Sequence, residues 1–577
     1  MSDAVSGRVE EFKDTDLAQT ELPPAKSLLL EKSPSLRGHF PFAEARPSQN
    51  AAMKALEKWN GSPKKFFIYE GPTGSGKSGI DIAEASYAKT MPGYQRFQQG
   101  AYILTPMKSL AEQYMTDFEP MGLVELKGRN NFPCDKWTGI TGEPVDCETG
   151  AILNKSTGLD NERCAFCPYR AAKERFIAAP FGTTNFSYYL NETSHSGQLP
   201  DRNVLILDEG HNTEEQILRL TETVIDKKLC KEYGVADLPV FDEGDNAAVL
   251  VWLDSVFMPA ANAHANKLAK KFKEARDEER AKIAKKISGL ERFLQRLNRF
   301  RNSNDPGEWL CWSDWAADAR SGKAYGTGDL LIKPLTARLF ADELLFSKAQ
   351  KVLITSATIL DFETFMRNLG IRPSDATTLA TPSEFPVENR PMFYSPVGNM
   401  RQKDIDTTLP KMAPAIEQLL TRYFKHKGIC HTHSYKINRF VTQYLQSTPQ
   451  ASRVVTHDST KGSRDRALDR HFSSKEPTVL FSPSMSEGLD LTDDLSRFQI
   501  ITKVPFPPLT PYIKARMRRD PDWYQWQTSL HLVQGTGRSN RHKDDRAHTH
   551  ILDAGFADFI TQNNRRLPDY WLNAIVW

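Results

Sequence analysis

No apolar run in this chain reaches membrane-spanning length, and its first residues (Met1, Ser2, Asp3, Ala4) lack the apolar core of a signal peptide. Both absences set a cytoplasmic expectation and argue against a membrane partner. Neither sign of charge predominates. The formal net charge is +3, so nucleic-acid binding cannot be read from it, and any basic surface must be a local groove. Neither an internal repeat nor a low-complexity tract is present. Cysteine is scarce, at seven in 577 residues. Where a cytosolic chain clusters its cysteines, they hold a metal more often than they form disulfides. The length exceeds what one core fills and predicts roughly three or four domains.

What is there begins after a polar, mixed-charge stretch, residues 1–38, broken by Pro23, Pro24 and Pro34 and read as a flexible tail. Short apolar runs ending at Glu70, Thr105, Leu207 and Thr355 read as buried strands, and residues 78–89 read as a helix. Strands alternating with helices predict an α/β fold with a parallel sheet whose loops form a site. Further strands are expected at 427–430, 478–481 and 498–502 of a second α/β block. Residues 260–301, rich in Ala, Lys, Arg, Glu and Leu, predict a helical hairpin inserted between these runs. The spacing of Trp309, Trp312 and Trp315 reads as helix packing.

The chemistry lies in a few strings. Residues 71–78 fit Gly-x4-Gly-Lys-Ser, in which glycines such as Gly74 and Gly76 let backbone N–H groups approach phosphates. Lys77 would reach the β- and γ-phosphates, and Ser78 would ligate Mg²⁺. Asp208 and Glu209 follow a buried strand: the first suits Mg²⁺, the second suits activation of the attacking water, and His211 is placed to sense the γ-phosphate. Near the end, Gln534 precedes Arg538 and Arg541, two arginines three residues apart that can reach the same phosphates. Four cysteines, Cys134, Cys147, Cys164 and Cys167, sit between the glycine loop and Asp208, with twelve, sixteen and two residues intervening. Four thiolates suit either tetrahedral zinc or an iron–sulfur cluster.

The order of glycine loop, Asp-Glu-Gly-His, Ser356-Ala-Thr358 and Gln-Gly-Thr-Gly-Arg-Ser-Asn-Arg resembles superfamily 2 helicases, and with the cysteines it resembles their XPD/DinG iron–sulfur family. The likeness runs from about residue 40 to the C-terminus. It implies two RecA-like P-loop domains, with a cysteine-cluster domain and a helical arch domain inserted. The expected division is a first RecA-like domain at 39–120, 186–212 and 336–384, a cluster domain at 121–185, an arch at 213–335 and a second RecA-like domain at 385–577. It also implies that Arg46 and Gln49 contact the adenine, and that Glu487, Gly488 and Asp490 bridge nucleotide and nucleic acid. Thr105, Lys108, Arg129, Asn185, Ser356, Thr358, His433 and Ser434 would line the single-strand path. Gly210 stands where the family has Ala, and the segment after Asp553 lacks an Arg that the family often carries.

The resemblance makes a [4Fe–4S] cluster the expected occupant of the cysteines. Only Cys164 and Cys167 are close in sequence, which weakens zinc, while an empty site stays open. The implied activity is ATP-dependent, 5′→3′ translocation on single-stranded DNA with unwinding of forked duplexes or R-loops by a monomer. Two other readings stay open: an accessory helicase recruited by a CRISPR ribonucleoprotein complex, and a nucleic-acid-stimulated ATPase that never separates strands.

Overall fold

The computed structural model describes residues 35–138, 143–156, 167–195, 199–275, 277–314, 316–317, 324–325, 327–460, 462–483, 491, 493–540 and 543–577. Among these, two seven-stranded parallel sheets organise the chain. The first holds β1 (Phe66–Glu70), β2 (Gln98–Thr105), β3 (Val124–Glu125), β4 (Phe181–Asn185), β5 (Arg202–Leu207), β6 (Ala349–Ser356) and β7 (Ala376–Ala380), in the spatial order β7-β1-β6-β5-β2-β4-β3. The second holds β8 (Met392–Gly398), β9 (Gly428–His431), β10 (Val454–Thr456), β11 (Val479–Ser482), β12 (Phe498–Ile501), β13 (His548–Asp553) and β14 (Ile575–Val576), in the order β10-β11-β9-β12-β13-β8-β14. This is the two-domain α/β, RecA-like architecture that the motif order implies.

The strands β1 and β5 are buried at every position, as expected of parallel strands covered on both faces. Register then places the site. Glu70 pairs with Ser356, so the chain leaves β1 and β6 at one level, and the Gly71 N–H donates to Ser356 O at 3.0 Å. Leu104 pairs with Leu207, which brings Thr105 and Asp208 to the same edge. Ligands gather at such carboxyl ends of parallel strands. Helices α1 (Pro47–Asn60), α2 (Lys77–Ala88) and α3 (Lys108–Phe118) flank this edge.

Between β5 and β6 the expected hairpin is present as helices Met258–Glu274 and Asp277–Arg301, held by a small core of Leu268, Ile283 and Leu290. The tryptophan expectation is corrected. Trp309 and Trp312 lie on a strand, Trp309–Ser313, paired antiparallel with Leu330–Pro334, while Trp315 falls outside the described residues. All five residues of that strand are buried, so no alternation marks it, and the three-residue spacing imitates a helical stripe.

The two blocks share a core. Helices α4 (Pro511–Arg519) and α5 (Pro521–Thr536) belong in sequence to the C-terminal half. Yet Trp523, Trp526 and Leu530 pack in the same cluster as Ile354 of β6 and Phe365, while Leu532 and Val533, further along α5, pack with Ile501 and Ile551 of the second sheet. One helix therefore spans both cores. From α4, the Arg516 guanidinium, 1% exposed, donates to both carboxylate oxygens of Glu214 at 2.9 and 3.1 Å and to Asn368 Oδ1 at 2.9 Å. Its Cζ lies 4.3 Å from the Trp523 ring centroid.

Removing one partner of such a pair strands a buried charge, at a cost of about 3–5 kcal/mol. Arg516→Met is therefore expected to lower the thermal unfolding midpoint, and Arg516→Met with Glu214→Leu to recover most of the loss. Calorimetry on the three proteins checks both statements.

Candidate active site

Where β1 ends, Gly74 (φ 75°) and Gly76 (φ 77°) adopt the left-handed conformation that glycine reaches without strain. A Cβ at Gly76 would also collide with Gln49 Nε2. Two side chains of the α1 N-terminus brace this loop. Gln49 Nε2 donates to Gly76 O at 3.2 Å while its Oε1 accepts the Arg46 N–H at 2.9 Å, and the Arg46 guanidinium donates to Gly74 O. The structure thus brings Arg46 and Gln49 onto the loop carbonyls. Lys77 Nζ folds back onto Gly71 O at 3.1 Å, and Ser78 follows it into α2.

Asp208 emerges from β5 with its N–H on Leu104 O at 3.0 Å and its Oδ1 accepting the Glu209 N–H at 2.8 Å. Burial, with Asp81 and Glu209 close by, holds its carboxyl well above the usual range, against the opposing pull of Lys77. Asp81, one turn beyond Lys77, is fully buried; its Oδ2 accepts from Tyr114 Oη at 2.7 Å and Thr355 Oγ1 at 3.0 Å. Burial likewise raises its carboxyl. Crowded carboxyls beside a single lysine make a site that gains from a bound cation. Ser78 and Asp208, a hydroxyl and a carboxylate, are donors that suit Mg²⁺.

A hydrogen-bond chain leaves this point and crosses between the blocks. Glu209 Oε2 lies 3.4 Å from His211 Nδ1, which in turn lies 2.8 Å from Ser356 Oγ. Asn212 Nδ2 sits 3.0 Å from His211 Nε2, so the network assigns the proton to Nδ1. Ser356 Oγ donates to Thr358 O at 3.1 Å, and Gln534 Nε2 of α5 donates to Thr358 Oγ1 at 2.8 Å. The next residues are clamped: Glu70 Oε2 accepts the N–H groups of Ile359 (2.6 Å) and Leu360 (2.5 Å), and Trp526 Nε1 donates to Ile359 O at 2.7 Å. A cleft of about 800 Å³ lies between the blocks, lined by the glycine loop, Asp208, Glu209 and His211 on one wall and by Gln534 and Arg538 on the other. Arg541, Glu487, Gly488 and Asp490 lie outside the described residues.

The remaining sequence-predicted residues fall in two places. Lys108 Nζ lies 3.4 Å from Asn131 Oδ1, and the Arg129 guanidinium sits 5.0 Å from the Tyr169 ring centroid. Tyr169 Oη meets Tyr188 Oη at 2.7 Å, and Asn185 Oδ1 accepts the Tyr188 N–H at 2.8 Å. Thr105, fully buried, turns its hydroxyl onto Met107 O at 3.1 Å and braces the bend after β2. His433 (φ 50°) and Ser434 sit on the other block beyond β9, where Ser434 Oγ accepts the Lys436 N–H at 3.2 Å and caps a helix. Reasoning from sequence missed Glu70, Asp81 and Trp526. Glu70 and Trp526 meet partners far away in the sequence, and Asp81 lies between two isoleucines, where nothing local marks a partner.

Cys147 Sγ lies 3.7 Å from Cys167 Sγ, and both are buried, as is Cys134. A Cβ at Gly150 would collide with Cys134 Sγ, so this helix approaches the thiol as only glycine allows. Burial, followed by the neighbouring Cys167, pushes the Cys147 thiol up to about 12. Converging thiols of this kind suit a thiophilic metal group. Cys164 lies outside the described residues; among those described, no group of three or more His, Cys, Asp or Glu is arranged to hold a metal ion.

Residues 42–233 match the family of the type III restriction enzyme res subunit, and residues 418–574 match the helicase C-terminal domain. The DinG ATP-dependent DNA helicase of Photobacterium profundum is 28% identical over 248 residues, 39% of this chain and 35% of that protein. The CHL1 ATP-dependent DNA helicase of Saccharomyces cerevisiae is 22% identical over 512 residues, 72% of this chain and 57% of that one. The chain thus spans between a third and somewhat over half the length of these two relatives. A solved XPD helicase superposes with a TM-score of 0.60 at 15% identity, covering 91% of this chain and 98% of that one. Xpd4 of S. tokodaii gives 0.53 at 12% identity, covering 92% and 99%. The fold is the one shared by these solved XPD structures, and in sequence the chain is similar to the DinG and CHL1 helicases.

A buried acid of α2 sets a pH dependence. Glu84, fully buried, accepts from Asn60 Nδ2 at 3.0 Å, and burial raises its carboxyl to about 7. The native state therefore holds a proton that the unfolded chain releases, so stability present below the ordinary Glu value is lost as pH rises towards 7. The loss amounts to about 3 kcal/mol at most. Thermal unfolding midpoints at pH 5 and pH 8 should fall less steeply for Glu84→Gln than for the unmodified chain.

Proposed function

We propose that the chain is an ATP-dependent DNA helicase that moves 5′→3′ on single-stranded DNA and opens forked duplexes or R-loops. The observation that carries this reading is the hydrogen-bond chain from His211 through Ser356 and Thr358 to Gln534, because it ties the residues that follow Asp208 in one block to a helix of the other. A motor needs such a tie, so that a change at the γ-phosphate alters how the blocks sit together.

In the proposed cycle ATP enters the cleft and Lys77 swings from Gly71 O to the β- and γ-phosphates. Ser78 and Asp208 would hold Mg²⁺, which neutralises charge on the phosphate oxygens when bound. Glu209 takes the proton of the attacking water, and His211 senses loss of the γ-phosphate through its two hydrogen-bonded neighbours. Arg538 and Arg541 reach in from the second block and neutralise the transition state. Lys108, Arg129 and Asn185 on the first block, with His433 and Ser434 on the second, hold the strand's backbone. Cys134, Cys147, Cys164 and Cys167 would hold a [4Fe–4S] cluster, which when bound cross-links the segment beside that path rather than reacting.

Single-stranded DNA is expected to stimulate ATP hydrolysis, and Lys77→Ala and Glu209→Gln to lower the stimulated kcat by about a hundredfold or more. Ser356→Ala and Gln534→Ala interrupt one chain, so the double variant should lose little beyond either single. Forked-duplex unwinding measured alongside separates a helicase from an ATPase that only switches; absence of DNA stimulation would sink the reading outright.

Purified anaerobically, the chain is expected to carry about four irons and four sulfides per molecule with a visible thiolate–iron band. Cys167→Ser should lose both. Stoichiometric zinc in place of iron would reassign the site.

A further inference from the structure

The Asp81 carboxylate has no part in the proposed cycle, yet it is fully buried in α2, the helix that carries Lys77 and Ser78. Its Oδ2 alone takes two hydroxyl donors, Tyr114 Oη of α3 at 2.7 Å and Thr355 Oγ1 of β6 at 3.0 Å. Tyr114 is 2% exposed and Thr355 is fully buried, so both bonds are shielded from solvent. The Ser78 hydroxyl is hydrogen-bonded to the same phenol, and Asp208 stands close enough to act on it. Three elements therefore meet at one carboxylate, beside the point where Ser78 and Asp208 converge.

Counting protons gives these bonds a direction. A phenol has one hydrogen, and Tyr114 directs it to Asp81. Towards Ser78 its oxygen can therefore only accept, so the Ser78 hydroxyl points its own hydrogen at Tyr114. A hydroxyl held in this way keeps its oxygen lone pairs free, and lone pairs are what Mg²⁺ takes from a serine. Without the carboxylate, the phenol hydrogen would turn onto Ser78 Oγ and compete with the cation for it.

We propose that Asp81 and Tyr114 are positioning residues for the cation, holding the Ser78 hydroxyl so that its oxygen is left for Mg²⁺. The assignment rests on the ATP-dependent reading above, with Ser78 as one holder of Mg²⁺. It sets one support of the nucleotide site on α3, the helix that opens with Lys108, and another on β6, the strand that ends at Ser356.

Calorimetric titration of the full chain with ADP, once with Mg²⁺ and once in EDTA, tests it. For Tyr114→Phe the Kd with Mg²⁺ should rise about tenfold, the usual consequence of losing an outer partner of a metal ligand, while the Kd in EDTA stays within about twofold. Asp81→Leu should behave in the same way, and combined with Tyr114→Phe it should add little. Asp81→Asn, which keeps a carbonyl oxygen for both hydroxyls, should recover most of the loss. Should Asp81→Leu fail to fold, Tyr114→Phe, which removes a single oxygen atom, decides together with Asp81→Asn. Equal weakening with and without Mg²⁺ would mark a packing role, and no change for Tyr114→Phe would give Ser78 another partner. A loss in Asp81→Asn with none in Tyr114→Phe would mean that the carboxylate acts through its charge. Each of these results overturns the assignment. An unmodified chain whose affinity for ADP ignores Mg²⁺ would instead sink the Mg²⁺ site of the ATP-dependent reading itself.

Discussion

The Glu70 carboxylate, at the last position of β1, accepts the backbone N–H groups of Ile359 and Leu360 and so fixes the loop that follows β6. Leu360 sits at φ 63°, a conformation that a leucine adopts only when its surroundings impose it. The loop, held rigid there, presents Ile359 O to the Trp526 indole and Thr358 Oγ1 to the Gln534 amide, both on α5. A single buried carboxylate thus links the strand that feeds the glycine loop, the loop that receives His211, and the helix that spans both cores. Without the clamp, α5 would meet a mobile loop, and the contacts between blocks would lose their register.

Electrostatics at the same edge are arranged against the resting state. Asp81, Asp208 and Glu209 crowd together near Lys77, whose ammonium donates to Gly71 O. Burial raises the carboxyl groups because the interior cannot solvate their charge. A bound cation would relieve the crowding of the carboxyl groups.

Legibility in the sequence followed contiguity. The glycine loop and the Asp208–His211 string could be read because the turn, the strand before and the helix after lie next to one another, and every strand read from the sequence appears within a few residues. Glu70 and Trp526 could not, since their partner Ile359 lies 289 and 167 residues away. Asp81 and Glu84 sit in a helix whose composition looks amphipathic, and only the packing shows that it is buried on nearly every side. The strand at Trp309 was hidden for the opposite reason. Burial on both faces erased the two-residue alternation, and three-residue spacing of tryptophan passed for a helix.

The cysteine segment depends on the same body as the cleft. Cys147, Cys167 and Tyr169 belong to one apolar cluster with Tyr102 of β2, Phe176 and Phe186. Arg292, on the long helix Asp277–Arg301, reaches Glu148 at 3.6 Å, joining the inserted hairpin to the residue after Cys147. That pair is largely exposed and contributes little by itself. What holds the segment is the apolar cluster beneath it, and a group bound by the four thiols would add a cross-link on top of that cluster. Its removal would be expected to loosen the contact of Arg129 with Tyr169 first, while the glycine loop, braced by Gln49 and Arg46, keeps its shape.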